Sequence, residues 1–146
     1  MFRDKAKMVR TANALLVMLA FAPGLYLVIA VLVTFGKPGL TGDPIFIRVL
    51  FIVLAVVSLA NIGLTVFIET SNKLMSARTR YDPVGGTFQI MSLGAILSET
   101  HAIYGLVLTL LSGSILYGIG FSIFTWTSLW WVRRRFKQNL ASLPNA

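Results

Sequence analysis

The chain contains no cysteine, so no disulfide or thiolate metal site can form, and the redox compartment stays open. It has one histidine and only five acidic residues among 146. A metal centre needs ligands converging at helical i, i+3 or i+4 spacing, and His101 has no such companion, so no metal is expected. There is no glycine-rich phosphate loop and no nucleophile–base pair, so neither an enzyme nor a cofactor is expected. Charge is scarce as well: 12% of the residues are charged, against 56% hydrophobic. A soluble domain of this size has too little interior for so much apolar surface, and bilayer lipid is the expected solvent. The net charge of +8 is confined to short segments between long apolar runs. That is the pattern of basic juxtamembrane segments, not of a nucleic-acid surface.

What is present is four apolar runs, at about residues 12–35, 46–68, 86–112 and 115–132. A helix needs about 20 residues to cross a hydrocarbon layer of about 30 Å. In lipid, only helices and closed barrels satisfy the backbone, and these runs lack the alternation of barrel strands. The expected fold is all-α: one integral-membrane domain of four transmembrane helices. A polar loop, 69–85, joins the second run to the third, and a tight turn at Ser112-Gly113-Ser114 joins the third to the fourth. Residues 133–146 read as a basic tail, loosely ordered from Gln138 onward and carrying Pro144. Pro23-Gly24 predicts a kink in the first helix. That run is too long for a signal-peptide h-region and is expected to be retained.

Orientation follows from the cations. Arg3, Lys5, Lys7 and Arg10 precede the first run, Lys73, Arg78 and Arg80 lie in loop 69–85, and Arg133, Arg134, Arg135 and Lys137 follow the fourth run. Only Lys37 and Arg48 fall on the other side. The positive-inside rule then places both termini and loop 69–85 in the cytoplasm, with a prokaryotic cytoplasmic membrane as the expected location. Trp126, Trp130 and Trp131 read as an interfacial aromatic belt.

The third run holds the most informative residue, Glu99. It lies thirteen positions after Gly86, about 20 Å along a helix. An ionised acid at that depth costs about 2.5–3.5 kcal/mol on insertion scales, so Glu99 is expected to be protonated, paired or facing a polar cavity. Gly94, Ser98, Ala102, Gly105 and Thr109 fall on one stripe, where small side chains let another helix approach closely. Glu99 flanks that stripe. His101, two residues on, leaves the opposite face at about 200°. A neutral packing histidine is the favoured reading, and a relay with Glu99 requires a second protomer. Asn61, the only amide of the second run, is expected at the depth of Glu99, where its amide would satisfy the carboxyl.

Glu99-Thr100, Ile103-Tyr104-Gly105-Leu106-Val107 and Leu110 together resemble the ion-carrying helix of the proteolipid c subunit of rotary ATP synthases and vacuolar-type ATPases. The resemblance covers about residues 80–111, and the preceding basic loop, here with Arg78 and Arg80, is similar too. It implies that Glu99 binds and releases a proton, or a cation with Thr100 and Asn61 beside it, in a proteolipid-like subunit of a larger membrane complex. The implied partners are other membrane subunits, a homo-oligomeric ring, or both. The second run carries one glycine, Gly63, where that family's first helix is glycine-rich. A second reading therefore stands beside the first: a non-catalytic accessory subunit that packs against larger membrane partners.

Overall fold

The computed structural model of the protein describes residues 5–36, 39–40, 43–71, 80 and 82–143. The expectations for Arg3, Lys37, Lys73, Arg78 and Pro144 fall outside them. Four helices make up the fold: α1 (Lys5–Thr34), α2 (Pro44–Thr70), α3 (Pro83–Ser112) and α4 (Ile115–Ala141). Each is long and apolar enough to cross a membrane, and no strand occurs among the described residues. The chain is an all-α integral membrane protein.

The helix ends are encoded locally. Asp43 caps α2 by accepting from the Ile45 and Phe46 amides at 2.9 and 3.3 Å, with Pro44 at the first position. Asp82 and Pro83 repeat the device at α3, where the Asp82 carboxylate accepts from the Gly85 amide at 2.9 Å. Both pairings meet the orphan amides of a first turn with a side-chain acceptor and place proline where its missing N–H costs nothing. Helix α3 ends at Gly113, whose φ of 73° is left-handed, a conformation that glycine adopts without a Cβ penalty. The α1–α2 connection rests on this turn: the Leu40 amide donates to the Leu110 carbonyl at 3.2 Å. A side chain at Gly39 would overlap the backbone of Leu111–Gly113.

Helix α3 is central. It packs on α4, α1 and α2, α1 also packs on α4, and α2 barely touches α4. Among the described residues α1 and α2 do not meet. Trp126 of α4 reaches Ala20 of α1, and Leu27 of α1 lies over Gly118 of α4. These two helices are therefore antiparallel, and Lys5 and Ala141 share one end of the bundle, the end that carries the arginine cluster.

At this basic end the structure differs from the expected tail. Helix α4 continues without a break through Arg133-Arg134-Arg135 to Ala141. The reason is periodicity: Val132, Phe136 and Leu140, four apart, form an apolar stripe that buries against Ala12, Leu16 and Met91. Helix α2 stops earlier. Glu69, next to its end, packs on Gly94, eleven residues beyond Pro83, so about 16 Å of α3 precedes that level. Helices α1, α3 and α4 thus run past α2 as a three-helix bundle with its own apolar core. Only Ser58, Thr65 and Glu69 of α2 are buried. Between Val49 and Phe67 most of its other residues are apolar and exposed, as a lipid-facing helix requires.

Candidate functional site

The stripe expected on α3 is buried along its whole length: Gly94, Ser98, Ala102, Gly105 and Thr109. A Cβ at Gly105 would sit 2.7 Å from the Phe121 Cβ and 3.2 Å from the Gly118 Cα of α4. The two helices meet here backbone to backbone, the approach that small residues permit. Inside this seam Ser98 spends its hydroxyl on the Gly94 carbonyl at 2.8 Å.

Burying that stripe turns the opposite strip of α3 outward, into the gap between α1 and α2. Leu93, Ile96, Ile103 and Val107 are exposed along it. Two polar contacts border the strip, one on each side. On the α1 side the Tyr26 hydroxyl donates to Glu99 Oε1 at 3.1 Å. On the α2 side the Asn61 amide donates to Thr100 Oγ1 at 3.0 Å, and Thr100 itself donates to the Leu97 carbonyl at 2.7 Å. Asn61 therefore meets the neighbour of Glu99 and not Glu99. The cause is rotation: consecutive residues are about 100° apart on a helix, so Thr100 faces α2 and Glu99 faces α1.

Depth can be measured along α2, whose uncharged run Val49–Ile68 has 20 residues and so spans about 30 Å. Asn61 lies seven residues before Ile68, about 10 Å. Glu99, beside its partner Thr100, is thus about 10 Å inside the apolar layer on the side of the arginine cluster. It lies midway along α3 but not midway through the layer, because the first turns of α3 belong to the three-helix extension.

His101 is 1% exposed and sits on the far side of α3 from Glu99. Its ring meets Tyr104 edge-on at 6.5 Å, Tyr104 meets Phe121 at 6.4 Å, and Nδ1 has no hydrogen-bond partner. The structure does not bring it to Glu99. No cluster of potential metal ligands occurs among the described residues.

Two residues of consequence escape the sequence reading. Tyr26 is one; its signal was available, since it is the only side chain between Asn13 and Thr34 able to form a hydrogen bond. Glu69 is the other. The sequence places it at the start of the polar loop 69–85, whereas it lies within α2 and is 4% exposed. Arg135 of α4 lies within electrostatic reach and Trp131 stands beside it. Glu69 Oε2, Trp131 Nε1 and Arg135 Nε all lack a hydrogen-bond partner. The Arg135 guanidinium lies 5.1 Å from the centre of the Trp131 ring, so α4 presents a cation and an indole to the end of α2.

The chain matches no family model, and no curated protein or solved structure is significantly similar to it. Nothing in these comparisons identifies a proteolipid c subunit.

Proposed function

We propose that the protein is a subunit of a membrane complex that takes up and releases a proton at Glu99, with the basic end of the bundle in the cytoplasm. The observation that carries this reading is the Tyr26–Glu99 contact, a half-buried carboxyl inside the apolar layer held by one neutral donor at 3.1 Å. Any ionisable group at such a depth is a functional candidate. Energetics favour a working group over a structural one. Removing one partner of a buried ion pair costs about 3–5 kcal/mol, whereas a neutral hydrogen bond contributes only about 0.5–1.5 kcal/mol. Glu99 is therefore held but not locked. Its position at the rim of the outward strip of α3 leaves one side open to a partner helix, where a cation from another subunit or a second copy would favour release of the proton. Thr100 and Asn61 lie at the same level, but Thr100 turns toward α2 and the two bond each other, so proton uptake rests on the Glu99 carboxyl alone.

A hydrophobic carbodiimide, which couples to protonated carboxyls in lipid, tests the reading. The expected result is modification mapped to the peptide carrying Glu99 and abolished by Glu99→Gln. Absence of modification at Glu99 at every pH where the protein stays folded would overturn it.

The accessory-subunit reading draws on a different observation, the largely exposed apolar surface of α2. If Glu99→Gln leaves both assembly and the activity of the native complex intact, this second reading holds.

A further inference from the structure

Helices α1 and α4 enclose a groove of about 190 Å³ at the basic end of the membrane-spanning part. Its floor is fixed, because the Trp126 indole donates to the Ala20 carbonyl at 2.9 Å. Val17 and Ala20 line the deeper, apolar part. The mouth is polar, with Asn13 from α1 and Arg133 and Trp130 from α4. No hydrogen bond to another protein group engages the side chain of Asn13 or Arg133, and Arg133 is exposed. The Arg134 guanidinium lies 5.6 Å from the centre of the Trp130 ring.

The charge around this mouth has one dominant sign. Lys5, Lys7 and Arg10 lie on the first turns of α1, and Arg133, Arg134, Arg135 and Lys137 lie on α4. Of the acids described at this end, Glu69 is buried beside Trp131 and Asp82 caps the first turn of α3, and neither lines the groove. Cationic pockets between membrane helices suit anionic headgroups, and a guanidinium fork matches two phosphate oxygens at once. The grooves between α2 and α4 are larger, about 420 and 320 Å³, but no charged residue lines them.

We propose that the α1–α4 groove is a binding site for a phospholipid with an anionic headgroup, its phosphate on Arg133 and Asn13 and an acyl chain over Val17, Ala20 and Trp126. The site stands apart from Glu99 and does not depend on its chemistry. Arg133 supplies the charge, Asn13 a neutral donor from the facing helix, and Trp130 a ring suited to the headgroup level. The lipid then bridges the two helices that carry the basic end.

Native mass spectrometry of the purified chain tests this, with phosphatidylglycerol and phosphatidylcholine of identical acyl chains supplied in equal amounts. The wild type is expected to retain phosphatidylglycerol in preference. Arg133→Gln should weaken that retention by about five- to tenfold, the scale of one lost bidentate charged contact, and Asn13→Leu by a smaller factor. Lys137→Gln removes the same charge from the same end but outside the groove, and should leave retention near that of the wild type. Equal losses for Lys137→Gln and Arg133→Gln would reduce the effect to diffuse attraction and overturn the site. So would equal retention of the two lipids, or displacement of the lipid by glycerol phosphate, which would mark a site for soluble phosphates. Dimers in place of bound lipid would assign the groove to a second copy and overturn it as well. Arg133 is exposed, so its variant is expected to fold, and an unchanged melting curve in detergent checks this.

Discussion

The Tyr26 hydroxyl and the Glu99 carboxyl meet at 3.1 Å across the α1–α3 contact, seventy-three residues apart in sequence. This contact decides what the membrane-embedded acid rests on, and it separates the roles of the two neighbouring helices. Helix α1 holds Glu99, and helix α2 holds Thr100.

That division predicts an asymmetry between two substitutions. Tyr26→Phe removes the donor on Glu99 and keeps the ring, so carbodiimide modification of Glu99 should change in rate, with a loss of stability of about 1 kcal/mol. Asn61→Leu leaves the donor on Glu99 in place and frees only Thr100, which retains its bond to the Leu97 carbonyl. Its modification rate should stay near that of the wild type. Timed labelling of both variants, read by peptide mass, checks the pair.

Much of the architecture was legible in the residues. The four spans follow from apolar runs bounded by Asp43-Pro44, Asp82-Pro83 and the Ser112-Gly113-Ser114 turn, all local signals. The stripe from Gly94 to Thr109 was legible for the same reason, since helical periodicity fixes which residues share a face. What was hidden depended on longer-range register. The partner of Asn61 turned on which side of α3 each neighbouring helix occupies, and depth alone does not give that. The burial of Glu69 and the helical course of residues 133–141 turned on how far α1, α3 and α4 run past α2. Hydropathy drops at the membrane boundary whether or not a helix continues beyond it. The stripe Val132, Phe136, Leu140 carried that information, masked by the arginines and lysine between its members.

The seam between α3 and α4 predicts opposite outcomes for two glycines. Gly105→Ala places a Cβ 2.7 Å from that of Phe121 and 3.2 Å from the Tyr117 carbonyl oxygen. Backbone on the facing helix cannot retreat without opening the seam, so a loss of about 1–3 kcal/mol is expected. Gly63 of α2 has nothing within 4 Å of its would-be Cβ. Alanine is the better helix former by about 0.8–1.0 kcal/mol in water, so Gly63→Ala should be neutral or stabilising. Thermal unfolding of both variants in one detergent, followed by circular dichroism, gives the comparison.

Glu69 and Arg135 predict a coupling that neither residue shows alone. Replacing Arg135 with Gln leaves a carboxyl that is 4% exposed without its nearby cation, beside an indole N–H with no hydrogen-bond partner. No hydrogen bond joins the two side chains, and Arg135 is half-buried, so the loss of this electrostatic contact should cost no more than about 1 kcal/mol. Glu69→Gln removes the charge but keeps a group able to accept from Trp131, so its cost should be smaller. In the double variant Arg135→Gln no longer strands a charge, and the combined loss should fall short of the sum of the single losses by at least about 0.5 kcal/mol. Strict additivity in a double-mutant cycle would mean that α2 is held at the basic end by the fit of Glu69 against Gly94 alone, with no electrostatic tie to α4.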